Sequence, residues 1–249
     1  MHLDGGRRRG FFLTLEGPEG SGKSTQAQRL AARLTAAGLP CVVTREPGGT
    51  ALGEAVRQIL LHAPEPSPAP AADALLFNAA RAQLAAEVIV PALERGEIVI
   101  CDRFGDSTLA YQGFGAGQPL EALRSLAQFA VGDLSPDLTV LIDLPVEDGL
   151  ARKQADEITR FEERADLDFH RRVRDGFLAL AASEPDRFVI IDGRLTVEAI
   201  EQAIFEALRP RLGPGGPGRK VPTRTIAGAP DASPLHSSEP ERSSLRMDR

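Results

Sequence analysis

Residues 11–25 read FFLTLEGPEGSGKST, and this stretch decides the fold. Its first part, residues 11–15, is an almost continuous apolar run, which predicts a β-strand buried on both faces. The next part matches the pattern G-x-x-x-x-G-K-[ST], and a helix pattern over residues 24–37 begins at its end. A strand, a glycine-rich loop and a helix in this order predict a phosphate-binding loop.

The spacing of the loop has a physical reason. Glycines let the backbone curl so that successive N–H groups point at phosphate oxygens, and the helix N-terminus adds partial positive charge. We expect Lys23 to reach the β- and γ-phosphates of ATP and the Ser24 hydroxyl to bind Mg²⁺. A glycine-rich turn with a chance lysine is the alternative, which the strand–loop–helix context disfavours. The ATP-binding candidates are Gly17, Pro18, Glu19, Gly20, Ser21, Gly22, Lys23, Ser24 and Thr25.

Composition excludes several classes of protein. The 249 residues are 42% hydrophobic and 26% charged, which is typical of a globular chain rather than a disordered one. No apolar run approaches the length of a membrane span or of a signal-peptide core, so we expect a cytoplasmic protein without membrane contact. The two cysteines, Cys41 and Cys101, each lie in an apolar run and are expected to be reduced and buried.

The two ends of the chain differ from the middle. Residues 213–249 are rich in Pro, Gly and Ser and poor in large apolar side chains, which predicts a disordered tail. Residues 1–10 form a basic arm that is also expected to be disordered. Both ends carry net positive charge, so the body between them is more acidic than the overall net charge of −6. An acidic body argues against a specific nucleic-acid partner.

Between the ends, apolar runs alternate with helix patterns. This alternation predicts one α/β domain over residues 11–212, with a parallel sheet built from βαβ units. One helix is predicted over residues 71–95, ending before Gly96, and another over residues 197–208, with Thr196 as its N-cap. The further runs that predict strands are residues 41–43, 98–101, 138–144 and 188–191.

Polar segments follow the predicted strands, at the edge where open α/β sheets bind ligands. TREPGGT, residues 44–50, follows the second strand, and DRFGDSTLAYQG, residues 102–113, follows the third. LLFNAARAQ, residues 75–83, lies within the long helix, where Phe77 and Arg81 are four residues apart and share a face. A ring and a fork of donors on one face suit a nucleobase, although a core Phe and a solvated Arg are the more ordinary interpretation.

These four motifs, in this order, resemble those of bacterial thymidylate kinases over residues 11–212. The resemblance implies transfer of the γ-phosphoryl group of ATP to dTMP by a homodimer. It also implies the P-loop kinase fold, a five-stranded parallel sheet with helices on both faces and a small helical lid. Another P-loop nucleoside monophosphate kinase is the nearest alternative, and a nucleotide-dependent switch without an acceptor is the alternative from a different class.

The resemblance implies how the acceptor base and sugar are bound. Phe77 stacks on thymine, and Arg81 donates to its exocyclic oxygen. Thr108 and Gln112 complete the contacts with the base. Tyr111 lies near the sugar.

The resemblance also implies how the acceptor phosphate and the metal are held. Glu19 meets the 3′ side of the deoxyribose. Arg103 grips the 5′-phosphate of dTMP as a catalytic residue. Asp102 helps to hold Arg103 or a water molecule on the Mg²⁺ that Ser24 binds.

A lid is expected at about residues 149–163. The family has two arrangements, one with an Arg inside the glycine-rich loop and one that supplies Arg from the lid. Gly20 occupies the loop position here, so the chain resembles the second arrangement. Arg152 is then the first candidate to neutralise charge on the transferred group, and Arg160 and Lys153 are the others.

Overall fold

The five apolar runs form one sheet. A computed structural model of the chain describes residues 10–62, 68–152 and 166–212. The strands pair in parallel in the order β2-β3-β1-β4-β5, which confirms the predicted sheet. Their bounds are β1 (Phe11–Glu16), β2 (Cys41–Arg45), β3 (Ile98–Asp102), β4 (Leu138–Asp143) and β5 (Phe188–Asp192).

Helices follow the strands along the chain. Two short π-helical segments, Ala85–Ile89 and Leu109–Gly115, and a final 3₁₀ turn, Arg209–Arg211, continue some of them. The α-helices of the described residues are α1 (Lys23–Ala36), α2 (Ala51–His62), α3 (Pro70–Leu84), α4 (Val90–Glu94), α5 (Gly105–Thr108), α6 (Leu120–Val131), α7 (Val146–Ala151), α8 (Leu167–Ser183) and α9 (Val197–Leu208).

Both faces of the sheet are covered. On one face, α1 and α9 pack their buried leucines and isoleucines against alternate residues of β1, β3 and β4. On the other face, α3, α4 and the π-helical turn between them cover β1 and β3, while α8 covers β4 and β5. Because β1, β3 and β4 lie between other strands and between two layers of helices, nearly all their side chains are buried.

The predicted helix over residues 71–95 is present with a defect. Its dihedral angles stay helical from Pro70 to Glu94, but the segment Ala85–Ile89 is π-helical, and the N–H of Val90 bonds to the carbonyl of Ala85, five residues back. Pro91 follows at once and has no N–H to donate, so the wider turn accommodates it. Gly96 ends the helix with a φ of 81°, as expected of a C′ residue.

The last helix is also as predicted. It spans Val197–Leu208, and the Thr196 hydroxyl accepts a hydrogen bond from the N–H of Ala199 at 3.2 Å. The sequence patterns had named no helix for α2, α6 or α8, which the structure adds.

Some predicted segments lie outside the described residues. They include almost all of the basic arm, the whole tail and, within the lid, residues 153–165 with Lys153 and Arg160. In the part of the chain that the structure describes, no helix combines the length and apolarity needed to cross a membrane.

Candidate functional site

The glycine-rich loop connects β1 to α1 with a backbone that suits only glycine at several positions. The φ angles of Gly17, Gly20 and Gly22 are 142°, 68° and 89°. At Gly20 the constraint is also steric, because a Cβ there would lie 2.0 Å from the carbonyl oxygen of Gly149 in α7. The reverse holds as well, since a Cβ on Gly149 would lie 2.2 Å from the carbonyl oxygen of Glu19. The loop and the first part of the lid are therefore in backbone contact.

Lys23 is folded back onto the loop. Its ammonium is buried and donates to the carbonyl of Gly17 at 3.2 Å, the carbonyl of Pro18 at 2.8 Å and the hydroxyl of Ser21 at 3.1 Å. Burial, followed by the charge of Arg103, lowers the pKa of Lys23 to about 8. A phosphate anion bound in the loop would attract the ammonium and so favour its charged form.

Ser24 and Asp102 meet beside the loop. The Ser24 hydroxyl donates to the carboxylate of Asp102, which ends β3. A hydroxyl and a carboxylate are the oxygen ligands that Mg²⁺ favours, so the pair fits the proposed metal. Among the described residues, no group of three or more His, Cys, Asp or Glu side chains could hold a metal ion. Any Mg²⁺ here would take its other ligands from phosphate and water.

Arg103 turns sharply away from the strand. It is the one residue other than glycine with a positive φ, 70°, in the part of the chain described. Its guanidinium donates to the carbonyl of Gly17 at 3.1 Å and the hydroxyl of Ser107 at 3.2 Å, and lies 3.4 Å from a carboxylate oxygen of Glu19. It also lies over the ring of Tyr111, 5.0 Å from the centroid. The structure thus brings Arg103 to the loop.

Glu19 is a buried anion with several donors around it. The Tyr111 hydroxyl donates to one carboxylate oxygen, and the Nδ1 atom of His170 lies 3.6 Å from the other. Burial alone would raise the pKa of Glu19. The hydrogen bond from His170 and the charges of Arg103 and Lys23 outweigh that effect and hold the pKa well below its usual range. His170 lies in α8, outside every motif, so no sequence pattern pointed to it.

Arg81 is neither solvated nor simply packed in the core. Its guanidinium is 1% exposed and pairs with the buried carboxylate of Glu46 at 2.8 Å. It also donates to the hydroxyl of Thr108 at 2.8 Å and the side-chain oxygen of Asn78 at 3.1 Å. Phe77, one helical turn earlier, is half-buried. The ordinary alternative of a solvated Arg is therefore wrong, because a carboxylate of the TREPGGT segment covers the charge.

Gln112 lies in the same segment as Tyr111, which bonds to Glu19, and Thr108, which bonds to Arg81. The segment from Gly105 to Gly115 runs through α5 and the second π-helical turn, and it carries Thr108, Tyr111 and Gln112, all buried. The segment therefore touches both the arginine that would read the base and the carboxylate that would meet the sugar.

Arg57 is a further cation at this edge that the motifs did not indicate. It lies in α2 and donates to the carbonyl of Pro47 at 2.9 Å. Burial and the charges of Arg45 and Arg103 lower the pKa of Arg57, so positive charges crowd this side of the site. The packing of α2 against α3 brings it there, and helix periodicity carries no such signal.

Arg152 is the lid cation that the structure describes. It is exposed, follows α7 and donates to the carbonyl of Gly193 at 3.0 Å, in the loop after β5. A cavity of about 250 Å³ lies at the ends of β4 and β5, lined by Asp143, Pro145, Arg174, Ile190, Asp192 and Arg194. The lid residue and the loop after β5 thus lie on the same side of the glycine-rich loop.

Comparison with known proteins agrees with this geometry. The family model for thymidylate kinase matches residues 15–204. A thymidylate kinase of Geobacter sp. (strain M21) is 52% identical over 210 residues, which cover 82% of this chain and 93% of the relative. A thymidylate kinase of Deinococcus radiodurans is 52% identical over 206 residues, covering 81% and 98%. The crystal structure of thymidylate kinase from Ehrlichia chaffeensis has a TM-score of 0.66 and 34% identity, covering 80% of this chain and 99% of that one.

The lowered pKa of Lys23 predicts how ATP binding depends on pH. Because the ammonium loses its proton as the pH rises through about 8, the affinity for ATP should fall above that pH, by up to about tenfold per pH unit. Calorimetric titration with ATP between pH 7 and 9.5 measures this. In Lys23→Arg the guanidinium stays charged over this pH range. The affinity of this variant for ATP should therefore not fall with rising pH. An equal decline in both proteins would contradict the assignment.

Proposed function

The chain belongs to the thymidylate kinase family, and we propose that its residues perform the family's reaction at the carboxyl edge of the sheet. The protein is a phosphotransferase that moves the γ-phosphoryl group of ATP to dTMP, giving dTDP and ADP for dTTP synthesis. The match over residues 15–204 carries this conclusion, because it includes the loop, the strand ends and α3. The roles of individual residues are proposals, argued below from the geometry.

The donor nucleotide binds along the loop. The N–H groups of the loop and of the first turn of α1 surround the phosphates, and Lys23 leaves the carbonyls of Gly17 and Pro18 to bind the β- and γ-phosphates. We propose that Ser24 binds Mg²⁺ and that Asp102 holds water on it, since the two side chains already touch. When bound, Mg²⁺ would supply charge neutralisation between the β- and γ-phosphates.

The acceptor base and sugar bind beside α3. Phe77 stacks on thymine. Arg81 donates to a base oxygen with the N–H that its other partners leave over, these being Glu46, Asn78, Thr108 and the carbonyl of Phe104. The clamped guanidinium supports this role because it is already in one orientation before the base arrives. Thr108 and Gln112 complete the base contacts. Glu19 receives the 3′ side of the sugar, with Tyr111 beside it.

Arg103, with Arg57 near it, binds the acceptor phosphate. An acidic chain with a net charge of −6 must bring two polyanions together, so its positive charge has to be concentrated locally. Besides burial, the charge of Arg103 lowers the pKa of Lys23 and that of Arg57. The three cations therefore lie close together, which supports this concentration of positive charge.

The chemistry requires positioning more than proton transfer. The attacking oxygen belongs to a phosphate that is already an anion, so no strong general base is needed. Lys23 holds the leaving side and Arg103 the attacking side. Both cations approach the same loop carbonyl, that of Gly17, so the two phosphates would meet end to end above it.

Arg152 is the proposed catalytic cation of the lid. Gly20 supplies no cationic side chain at this position of the loop. A cation from another segment must therefore neutralise the charge on the transferred group. Arg152 directly follows α7 and lies near the loop, because Gly149 of α7 contacts the backbone of the loop. Lys153 and Arg160 remain candidates outside the described residues.

We also propose that the protein is a homodimer. Large apolar side chains are exposed on three helices, and α3 packs against each of the other two. Phe129 of α6 is 90% exposed, and Leu52, Ile59 and Leu75 of α2 and α3 are each about half exposed. Burial of these side chains against a second copy would remove apolar surface from water.

Cytoplasmic location is proposed on the state of the cysteines. Cys41 and Cys101 are both free thiols, and Cys101 is buried, which suits a reducing compartment.

A panel of phosphate acceptors tests the function. With ATP as donor, ADP formation in a coupled assay should be greatest with dTMP and much weaker with dCMP, AMP, GMP or unphosphorylated thymidine. An equal or higher rate with one of those four would point to the alternative of another nucleoside monophosphate or nucleoside kinase. ADP formation that no acceptor stimulates would contradict a kinase.

The base-reading role of Arg81 is tested by Arg81→Lys. The lysine keeps a positive charge beside Glu46. Leaving that buried carboxylate without a partner would cost about 3–5 kcal/mol of folding free energy. The lysine lacks the planar guanidinium with its several N–H donors. We expect the KM for dTMP to rise at least about tenfold, the cost of one buried hydrogen bond to a charged group, and the KM for ATP to stay within about twofold. Arg187→Lys is the matched control, because Arg187 also forms a bidentate pair with a buried carboxylate, Asp106. Equal changes for both substrates would exclude base reading by Arg81.

The lid role of Arg152 is tested by Arg152→Ala. Because the contact would form in the transition state, kcat should fall by about tenfold or more while the KM for dTMP stays within about twofold. Arg194→Ala, another exposed arginine of the same region, is the control and should leave kcat unchanged. An unchanged kcat in Arg152→Ala would transfer the role to Lys153 or Arg160.

A further inference from the structure

Glu16 is a buried carboxylate just before the glycine-rich loop, and no motif or role considered so far has used it. It ends β1 and is fully buried. One of its carboxylate oxygens accepts the backbone N–H of Phe104 at 2.7 Å. The other accepts the hydroxyl of Ser107 at 2.6 Å. Both donors belong to the turn that follows β3.

That turn contains Arg103 in an unfavourable conformation. A φ of 70° costs free energy in a residue with a side chain and persists only where the surroundings hold it. The hydrogen bond from the N–H of Phe104 to Glu16 fixes the peptide unit directly after Arg103. On the other side of the residue, the N–H of Arg103 bonds to the carbonyl of Leu15 at 3.0 Å. The end of β1 thus fixes the backbone on both sides of the arginine.

A second connection leads to the guanidinium. The Ser107 hydroxyl donates to Glu16 and accepts from Nη1 of Arg103 at 3.2 Å. Because a hydroxyl has one proton, donation to the carboxylate turns its lone pairs toward the arginine. The same Nη1 also donates to the carbonyl of Gly17, the residue after Glu16. Glu16 therefore orients both the backbone and the side chain of Arg103.

We propose that Glu16 is a positioning residue that sets the direction of the Arg103 guanidinium toward the acceptor phosphate. The proposal rests on the role of Arg103 proposed above. A carboxylate suits the task because its two oxygens accept from two donors at once, which neither an apolar residue nor a hydroxyl does.

The cost of keeping this group buried agrees with a functional role. Burial, together with the charge of Asp106, raises the pKa of Glu16, while the charge of Arg103 and the hydrogen bonds from Ser107 and from the N–H of Phe104 lower it and favour the ionised carboxylate. A residue that only ended a strand would not require a carboxyl group in such a place. Perturbed groups of this kind are concentrated at functional sites.

The experiment compares graded variants in steady-state kinetics with both substrates. Glu16→Ala removes both acceptors, and the KM for dTMP should rise by about tenfold to a hundredfold, as expected when a binding group is misplaced by about 1 Å. Glu16→Gln keeps one carbonyl oxygen, and Ser107→Ala removes only the side-chain connection, so each should give a smaller rise of about threefold to tenfold. The KM for ATP should change by less than about twofold in all three.

Asp137→Asn is the matched control for a structural effect. Asp137 also accepts a backbone N–H of β1, that of Phe12 at 2.8 Å, but at the opposite end of the strand. It should lower the melting temperature without changing the KM for dTMP. If Glu16→Ala does not fold, Glu16→Gln and Ser107→Ala decide the question, and an unchanged KM for dTMP in both would overturn the proposal.

A double-mutant cycle with Arg103→Ala shows whether Glu16 acts through Arg103. In the Arg103→Ala background, Glu16→Gln should cause no further loss in kcat/KM for dTMP. Losses that multiply would overturn the proposal. If Arg103→Ala alone left the kinetics of dTMP unchanged, the proposed role of Arg103 would fail first. A loss in Arg103→Ala but none in any Glu16 or Ser107 variant would refute the positioning role alone.

Discussion

The cations of the site are kept close together by carboxylates, and Glu19 is the buried one that belongs to the glycine-rich loop itself. Arg103 and Lys23 would otherwise repel each other in a region with little water, and the charge of Arg103 indeed lowers the pKa of Lys23. The carboxylate of Glu19 opposes that effect. Tyr111 donates a hydrogen bond to it, and Nδ1 of His170 lies 3.6 Å from it. Glu19 is itself part of the glycine-rich loop, so the loop supplies both the amides for one ligand and the counter-charge for the residues that would bind the other.

The sheet could be predicted because its signal is local. Each strand is a short apolar run whose burial on two faces leaves no alternation, and a parallel sheet follows from the helices between the runs. The π-helical turn before Pro91 was not predicted, since the sequence shows that proline interrupts the hydrogen bonds but not how the helix accommodates it. Helices α2, α6 and α8 were not named either, although their apolar stripes are as local a signal as that of α9.

Some residues of the site could also be predicted from the sequence, and others could not. The loop, Asp102–Arg103 and Arg81 lie in compact motifs, and the structure brings them to one edge of the sheet. Phe77 packs against an apolar cluster of α2 and α3. Arg57 and His170 lie outside these motifs. Glu46 and Glu16 lie within quoted stretches, but their roles could not be predicted because each depends on a partner far along the chain. Arg81 illustrates the limit: the sequence placed it on a helix face, but the carboxylate that fixes it comes from a loop 35 residues earlier.

The contact between Gly20 and Gly149 also restricts how this enzyme can evolve. A cation placed in the loop at position 20 would have to displace the backbone of α7, because the first atom of any side chain would overlap a carbonyl oxygen. A single substitution therefore cannot move the charge from the lid to the loop in this chain. In this chain, such an exchange would require α7 to move before, or together with, the substitution at position 20.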